Sequence, residues 1–184
     1  MGILNTSQSY GFISILFHWI MAIILLATFL LGLNLEDNFQ NYDTVLMLHN
    51  SLGILIFLLA IFRVCWRWIN IRPEPFSSKK VLIKLATLIH ILFYLIFFVM
   101  PLSGYLLTNL QGDVVSFFGN HLPEILERNR DMKRVVYSIH DILGNIILAM
   151  LALHVIGALY HHYWLKDYTL KRIMFFNKIK ANQE

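Results

Sequence analysis

The run HDILGNIILAMLALH, residues 140–154, places His140 and His154 at the two ends of an apolar stretch. It lies inside a longer apolar block, Val135–Tyr160, and three blocks of the same kind precede it: Ile13–Leu33, Val45–Ile69 and Val81–Leu107. A hydrocarbon core of about 30 Å takes roughly 20 helical residues to cross, so each block is long enough to span a membrane. The chain has 184 residues, of which 58% are apolar and 14% charged. Gathering that apolar content into blocks, rather than alternating it with polar residues, predicts an all-α integral membrane four-helix bundle.

The bundle is expected to be a single transmembrane domain over residues 1–184, with a cytoplasmic tail over 161–184 and no repeat or low-complexity tract. The first block lacks a preceding basic segment and a following small-residue cleavage site, which reads as a retained helix rather than a signal peptide. Pro73 and Pro75 end the second span, because proline removes a backbone donor and disfavours helix in the residue before it. Pro101 is expected to kink the third span, and Pro123–Met132 to form a short surface helix running into the fourth. The lone Cys65 has no internal disulfide partner, and the absence of C-x-x-C-H excludes the usual covalent haem attachment.

Charge gives an orientation. Arg67, Arg72, Lys79, Lys80 and Lys84 face a single Glu74 around the second connection, and the tail carries Lys166, Lys171, Arg172, Lys178 and Lys180. The first connection instead holds Glu36, Asp37 and Asp43. By the positive-inside rule both termini are cytoplasmic, and Trp66, Trp68, Tyr160, Tyr163 and Trp164 form the inner aromatic belt. The net charge of +4 is thus a topology signal, and no nucleic-acid motif accompanies it. In the third connection Arg128, Arg130, Lys133 and Arg134 are offset by Asp113, Glu124, Glu127 and Asp131. Those cations either steer anions toward the outer face or belong to a solvated mixed loop.

Eight histidines need an account in such a chain, because ionisable groups in a bilayer are costly and face a bundle interior or a functional site. His140 and His154 are fourteen residues apart. At about 100° and 1.5 Å per residue they share one face and stand roughly 21 Å apart along the axis. His18 begins the first span on the cytoplasmic side, and His49 begins the second on the outer side. Depth therefore pairs His18 with His154 and His49 with His140. Haem iron accepts imidazole at both axial positions, and two such ligands suit electron transfer better than oxygen binding. Gly53 and Gly144, each one turn after a histidine, leave clearance for a flat macrocycle; Arg63, fourteen residues after His49, is placed to meet a propionate. Polar glue between helices is the alternative, yet glue requires neither depth matching nor this spacing. Zinc or non-haem iron needs three or four converging ligands, and His140 and His154 are too far apart to share an ion.

Three more histidines carry weaker signals. His90 in the third span either approaches the inner cofactor or hydrogen-bonds across the bundle. His161 and His162 either contact a quinone headgroup or a propionate, or lie in the headgroup belt beside Tyr163 and Trp164. Asp141 beside His140 either orients it or takes part in proton movement, or is a simple helix-start acid favoured by the dipole. No nucleophile–base pair, phosphate loop or Rossmann glycine signature is present.

Several segments together resemble the bacterial cytochrome b561 family over nearly the whole chain. They are Ser14–Trp19 in the first span, His49 with Gly53 and Arg63-Val64 in the second, and His90, Tyr94 and Pro101–Gly104 in the third. The last span adds His140, Gly144 and His154, and His161–Met174 follows as the most specific stretch. The resemblance implies two haem b groups, ligated by His18 with His154 and by His49 with His140. It further implies a multi-pass protein of the bacterial inner membrane that is linked to ubiquinone. One activity of the family is superoxide oxidation at the outer face; another role is as a haem b subunit that passes electrons between a partner redox protein and the quinone pool. Fold alone does not choose between them.

Overall fold

The computed structural model describes residues 2–35, 41–76 and 80–175. Among them run four long helices: α1, Phe12–Asn34; α2, Tyr42–Ile69; α3, Lys80–Gln111; and α4, Arg130–Tyr163. All four are long and apolar enough to cross a membrane. Their outward faces expose Ile23, Leu30, Leu58, Leu95 and Ile156, which are sheltered from water when lipid surrounds the bundle. Of the orientation residues, Glu36, Asp37, Lys79, Lys178 and Lys180 lie outside the described residues.

Neighbours in sequence are neighbours in space: α1 packs on α2, α2 on α3 and α3 on α4. By contrast α4 makes few close backbone approaches to α1 and α2. A small core of Leu25, Ile56, Phe93, Ile96, Ile147 and Met150 fills the middle of the bundle. Ile147 lies seven residues from both His140 and His154, so this apolar plug sits at the depth between them.

The helices run beyond the expected spans, and α3 continues as helix through Pro101. The surface helix expected over Pro123–Met132 does not form; helix starts only at Arg130, where the Asn129 side chain accepts from the backbone N–H of Asp131 and Met132. The preceding loop spends its donors on α3 instead, with Ile125 N–H donating to Asn109 Oδ1 and Asn129 N–H to the Leu110 carbonyl. Ahead of it lies a hairpin, β1 Ser116–Phe117 and β2 Asn120–His121, paired antiparallel. Its two turn residues, Phe118 and Gly119, have φ of 49° and 87°, as a tight two-residue hairpin turn requires. Ser51 on α2 clips it down, accepting from Phe118 N–H at 2.8 Å.

At the opposite end, called inner here after the charge reading, three segments interlock. Glu74 N–H donates to the Ser7 carbonyl, Asn5 Nδ2 to the Ile71 carbonyl and Trp19 Nε1 to the Ile173 carbonyl. Gly11 makes the fold-back possible, since a Cβ there would stand 2.3 Å from the Ile3 carbonyl oxygen. Arg172 is buried, lies 3.4 Å over the Phe76 ring and donates to the Glu74 carbonyl.

Candidate functional site

Four helices place five partly buried histidines in two groups. Toward the outer end, the rings of His49 and His140 have centroids 6.1 Å apart. Toward the inner end the rings of His18 and His154 are also 6.1 Å apart, and His90 stands 5.7 Å from His154. Two imidazoles that share one metal, each bonded at about 2 Å, have centroids separated by about 6 Å. Both pairs match that span, although helix α4 itself stands off from α1 and α2.

The outer pair is held by its back nitrogens. His49 Nδ1 donates to the Thr28 carbonyl at 2.9 Å. Ser103 gives its hydroxyl hydrogen to the Met100 carbonyl at 2.8 Å, so it accepts from His140 Nδ1, 2.9 Å away. In each ring the proton is thereby on Nδ1 and Nε2 keeps a lone pair, the arrangement that orients a metal-binding histidine. Gly32 and Gly104 make room for these rings: a Cβ would lie 3.1 Å from His49 Cε1 and 3.0 Å from His140 Cε1 respectively. Gly53 faces open space, while the Cβ position of Gly144 meets Met100 Cε at 3.6 Å.

Around the outer pair is a cavity of about 390 Å³ bordered by all four of those glycines. Its polar lining includes Tyr42, Asn50, Gln111 and Asp141, and among the described residues no Lys or Arg lines it. Arg128, Arg130 and Arg134 are exposed on the loop and at the start of α4 and are not part of that lining.

Across the inner pair the environment is cationic. Arg63 donates toward His18 Nδ1 at 3.4 Å and Met21 Sδ at 3.7 Å, and Arg67, one turn on, lies 5.8 Å over the Tyr94 ring. His90 is tied to its own helix, donating from Nδ1 to the Ala86 carbonyl at 2.7 Å. The Phe93 ring meets His154 edge-on at 5.6 Å and stacks on Phe97, which lines the outer cavity. His161 in the last turn of α4 meets Asp167 just beyond it, Nδ1 to Oδ2 at 2.5 Å, and Asp167 also accepts from Thr169 N–H. His162 packs its ring on Tyr163.

Residues 9–176 match the family described as prokaryotic cytochrome b561. The chain belongs to the prokaryotic cytochrome b561 family. Cytochrome b561 homolog 2 of Escherichia coli is 35% identical over 179 residues, which is 95% of each chain. Cytochrome b561 homolog 1 of the same organism is 30% identical across 85% of this chain and 92% of its own. A protein of Yersinia pestis named probable superoxide oxidase CybB is 33% identical over 70% of this chain and 73% of its own. With four spans and this membership, the chain is a multi-pass oxidoreductase of the bacterial inner membrane that carries electrons, in a family whose cofactor is haem b. Two imidazole pairs at metal-bridging separation, the outer one oriented by its back nitrogens, fit that cofactor. Thr28 gave no signal in sequence, and Ser103 and Gly104 showed only as part of the Pro101–Gly104 stretch without a role, because each acts by packing on a histidine from a different helix.

Proposed function

We propose that the chain holds two haem b groups, one between His18 and His154 and one between His49 and His140, and moves electrons from superoxide at the outer face to ubiquinone at the inner. The observation that carries this reading is the equal 6.1 Å separation of both depth-matched pairs. Haem supplies one-electron chemistry, and two imidazole ligands leave no open position for oxygen. The protein's own part is to fix geometry and manage charge. Thr28 and Ser103 hold the outer imidazoles in the metal-binding tautomer. Arg63 supplies positive charge for a propionate, and the core of Leu25, Ile56 and Ile147 keeps water out of the space between the pairs. At the inner interface Asp167 takes the Nδ1 side of His161, leaving Nε2 to hold or pass a proton to a quinone headgroup, with His162, the next residue of α4, and His90 on α3 as further contacts for the quinone or a propionate.

The test is a haem count per purified chain combined with the kinetics of haem reduction by pulsed superoxide, with and without a quinone analogue. Two low-spin haems reduced rapidly by superoxide and reoxidised by quinone are expected. His161→Ala should slow reoxidation by quinone with both haems retained; unchanged quinone kinetics remove His161 from the site.

A second reading has its own observation. The outer cavity is lined by Asp141 and by no Lys or Arg among the described residues, a poor lining for an anion. If two haems are present but indifferent to superoxide, the donor is a partner redox protein docking at the outer loop, and the chain is its quinone-linked subunit.

A further inference from the structure

Resting on the reading that His18 and His154 share one haem, we propose that Arg63 makes the inner site selective for a macrocycle with free carboxylates, because only a carboxylate releases His18 into its metal-binding tautomer. A guanidinium donates hydrogen bonds and accepts none. The Arg63 group 3.4 Å from His18 Nδ1 therefore makes that nitrogen the acceptor, and a neutral His18 ring carries its proton on Nε2. Neither nitrogen then offers a lone pair to a metal. His18 would offer Nε2 to a haem iron only once Arg63 has left and the ring proton sits on Nδ1.

Arg63 needs a better acceptor in order to leave. Its other contact is Met21 Sδ at 3.7 Å, a weak acceptor, and no carboxylate among the described residues pairs with it. A carboxylate takes two parallel, charge-assisted hydrogen bonds from arginine and so outcompetes an imidazole nitrogen. Arg67, one turn further along α2 with its guanidinium over Tyr94, offers a second cation to the same group. The site thus reads the acid side chains of the macrocycle before it supplies a ligand.

The outer pair has no such lock. His49 and His140 already carry their protons on Nδ1, held by the Thr28 carbonyl and the Ser103 hydroxyl. No Lys or Arg among the described residues lines the cavity between them, so a macrocycle without acids loses little there. The two sites should differ in what they accept.

The experiment uses the full chain produced in a haem-deficient host and titrated with ferric haem b or with its dimethyl ester, counting bis-imidazole low-spin centres by absorption and electron paramagnetic resonance. Haem b should fill two sites per chain and the ester one. Ester binding should vanish in His49→Ala and persist in His18→Ala. Arg63→Met should admit the ester to the inner site and raise the count to two, whereas Arg63→Lys, still a donor, should keep it at one. An arginine with only a structural role gives no such gain. An ester count of two or of none in the unaltered chain overturns the proposal, as does Arg63→Met binding the ester no better. Failure of the underlying reading looks different: fewer than two haem b centres in the unaltered chain, or two in His18→Ala.

Discussion

At the scale of single residues, the outer histidines depend on what is missing beside them. A methyl at position 104 would lie 3.0 Å from His140 Cε1, closer than the ring can tolerate without moving. Gly104→Ala should therefore tilt or displace the imidazole and cost about 1–3 kcal/mol by overpacking. The measurement is a pair of haem spectra: the outer centre should broaden or lose occupancy while the inner one is unaltered. If both centres keep their spectra and thermal stability, the ring has more freedom than this packing allows. A second residue-scale effect belongs to Asp167. Burial pushes its carboxyl up, but hydrogen bonds from His161 and Thr169 outweigh that and hold it below its ordinary 3.8. A depressed carboxylate stabilises the folded tail fully above the ordinary value and loses that contribution as pH falls through its lowered one. Tail docking should thus be insensitive to pH near neutrality and loosen only in acid below 3.8, followed by proteolytic nicking beyond Tyr163. Asp167→Asn should loosen the tail at neutral pH and remove the acid dependence; a tail that opens in acid equally in both proteins refutes the assignment.

Among elements, the hairpin between α3 and α4 is the one that sequence patterning hid. Each of its strands has two residues, too few for any alternation to show, and its order comes from outside: the Ser51 hydroxyl accepts from Phe118 N–H and donates to the Met47 carbonyl at 2.6 Å. Ser51→Ala removes the part-buried hydrogen bond that holds the turn, a loss of about 0.5–1.5 kcal/mol. Hydrogen exchange at Phe118 should accelerate severalfold in that variant, with the amides of α1 protected as before; unchanged exchange at Phe118 places the hairpin's order elsewhere. The long helices were legible because lipid imposes one rule on about 20 residues at a time. The start of α4 was not, since a proline at 123 and a good cap at Asn129 are both helix-start signals, and the choice was made by Asn109 and Leu110 on α3. In the same way the histidine pairs were readable from depth and spacing along single helices. The supporting roles of Thr28, Ser103 and Gly104 were not, even with Pro101–Gly104 marked by the resemblance, because each lies on a different helix from the ring it contacts.

The whole molecule has an unusual division of labour. Close helix packing runs in a chain from α1 to α4, and the fourth side, where α4 faces α1 and α2, is spanned by histidine pairs rather than by backbone contact. If each pair is joined through a haem, the cofactors close the bundle and their binding free energy adds to its stability. A ligand that binds only the folded state stabilises by about 2.7 kcal/mol at one hundred times its dissociation constant, and two sites contribute separately. The chain made under haem starvation should then unfold at a markedly lower temperature than the replete chain, and its loss should appear first in α4, seen as faster hydrogen exchange around Gly144 and Gly157 than in α2. His140→Ala and His154→Ala should each produce about half of that loss, because α4 would be tethered at one end and free at the other. Equal melting with and without haem would mean that the α3–α4 contact alone holds α4 in place and that the histidine pairs serve electron transfer without closing the fold.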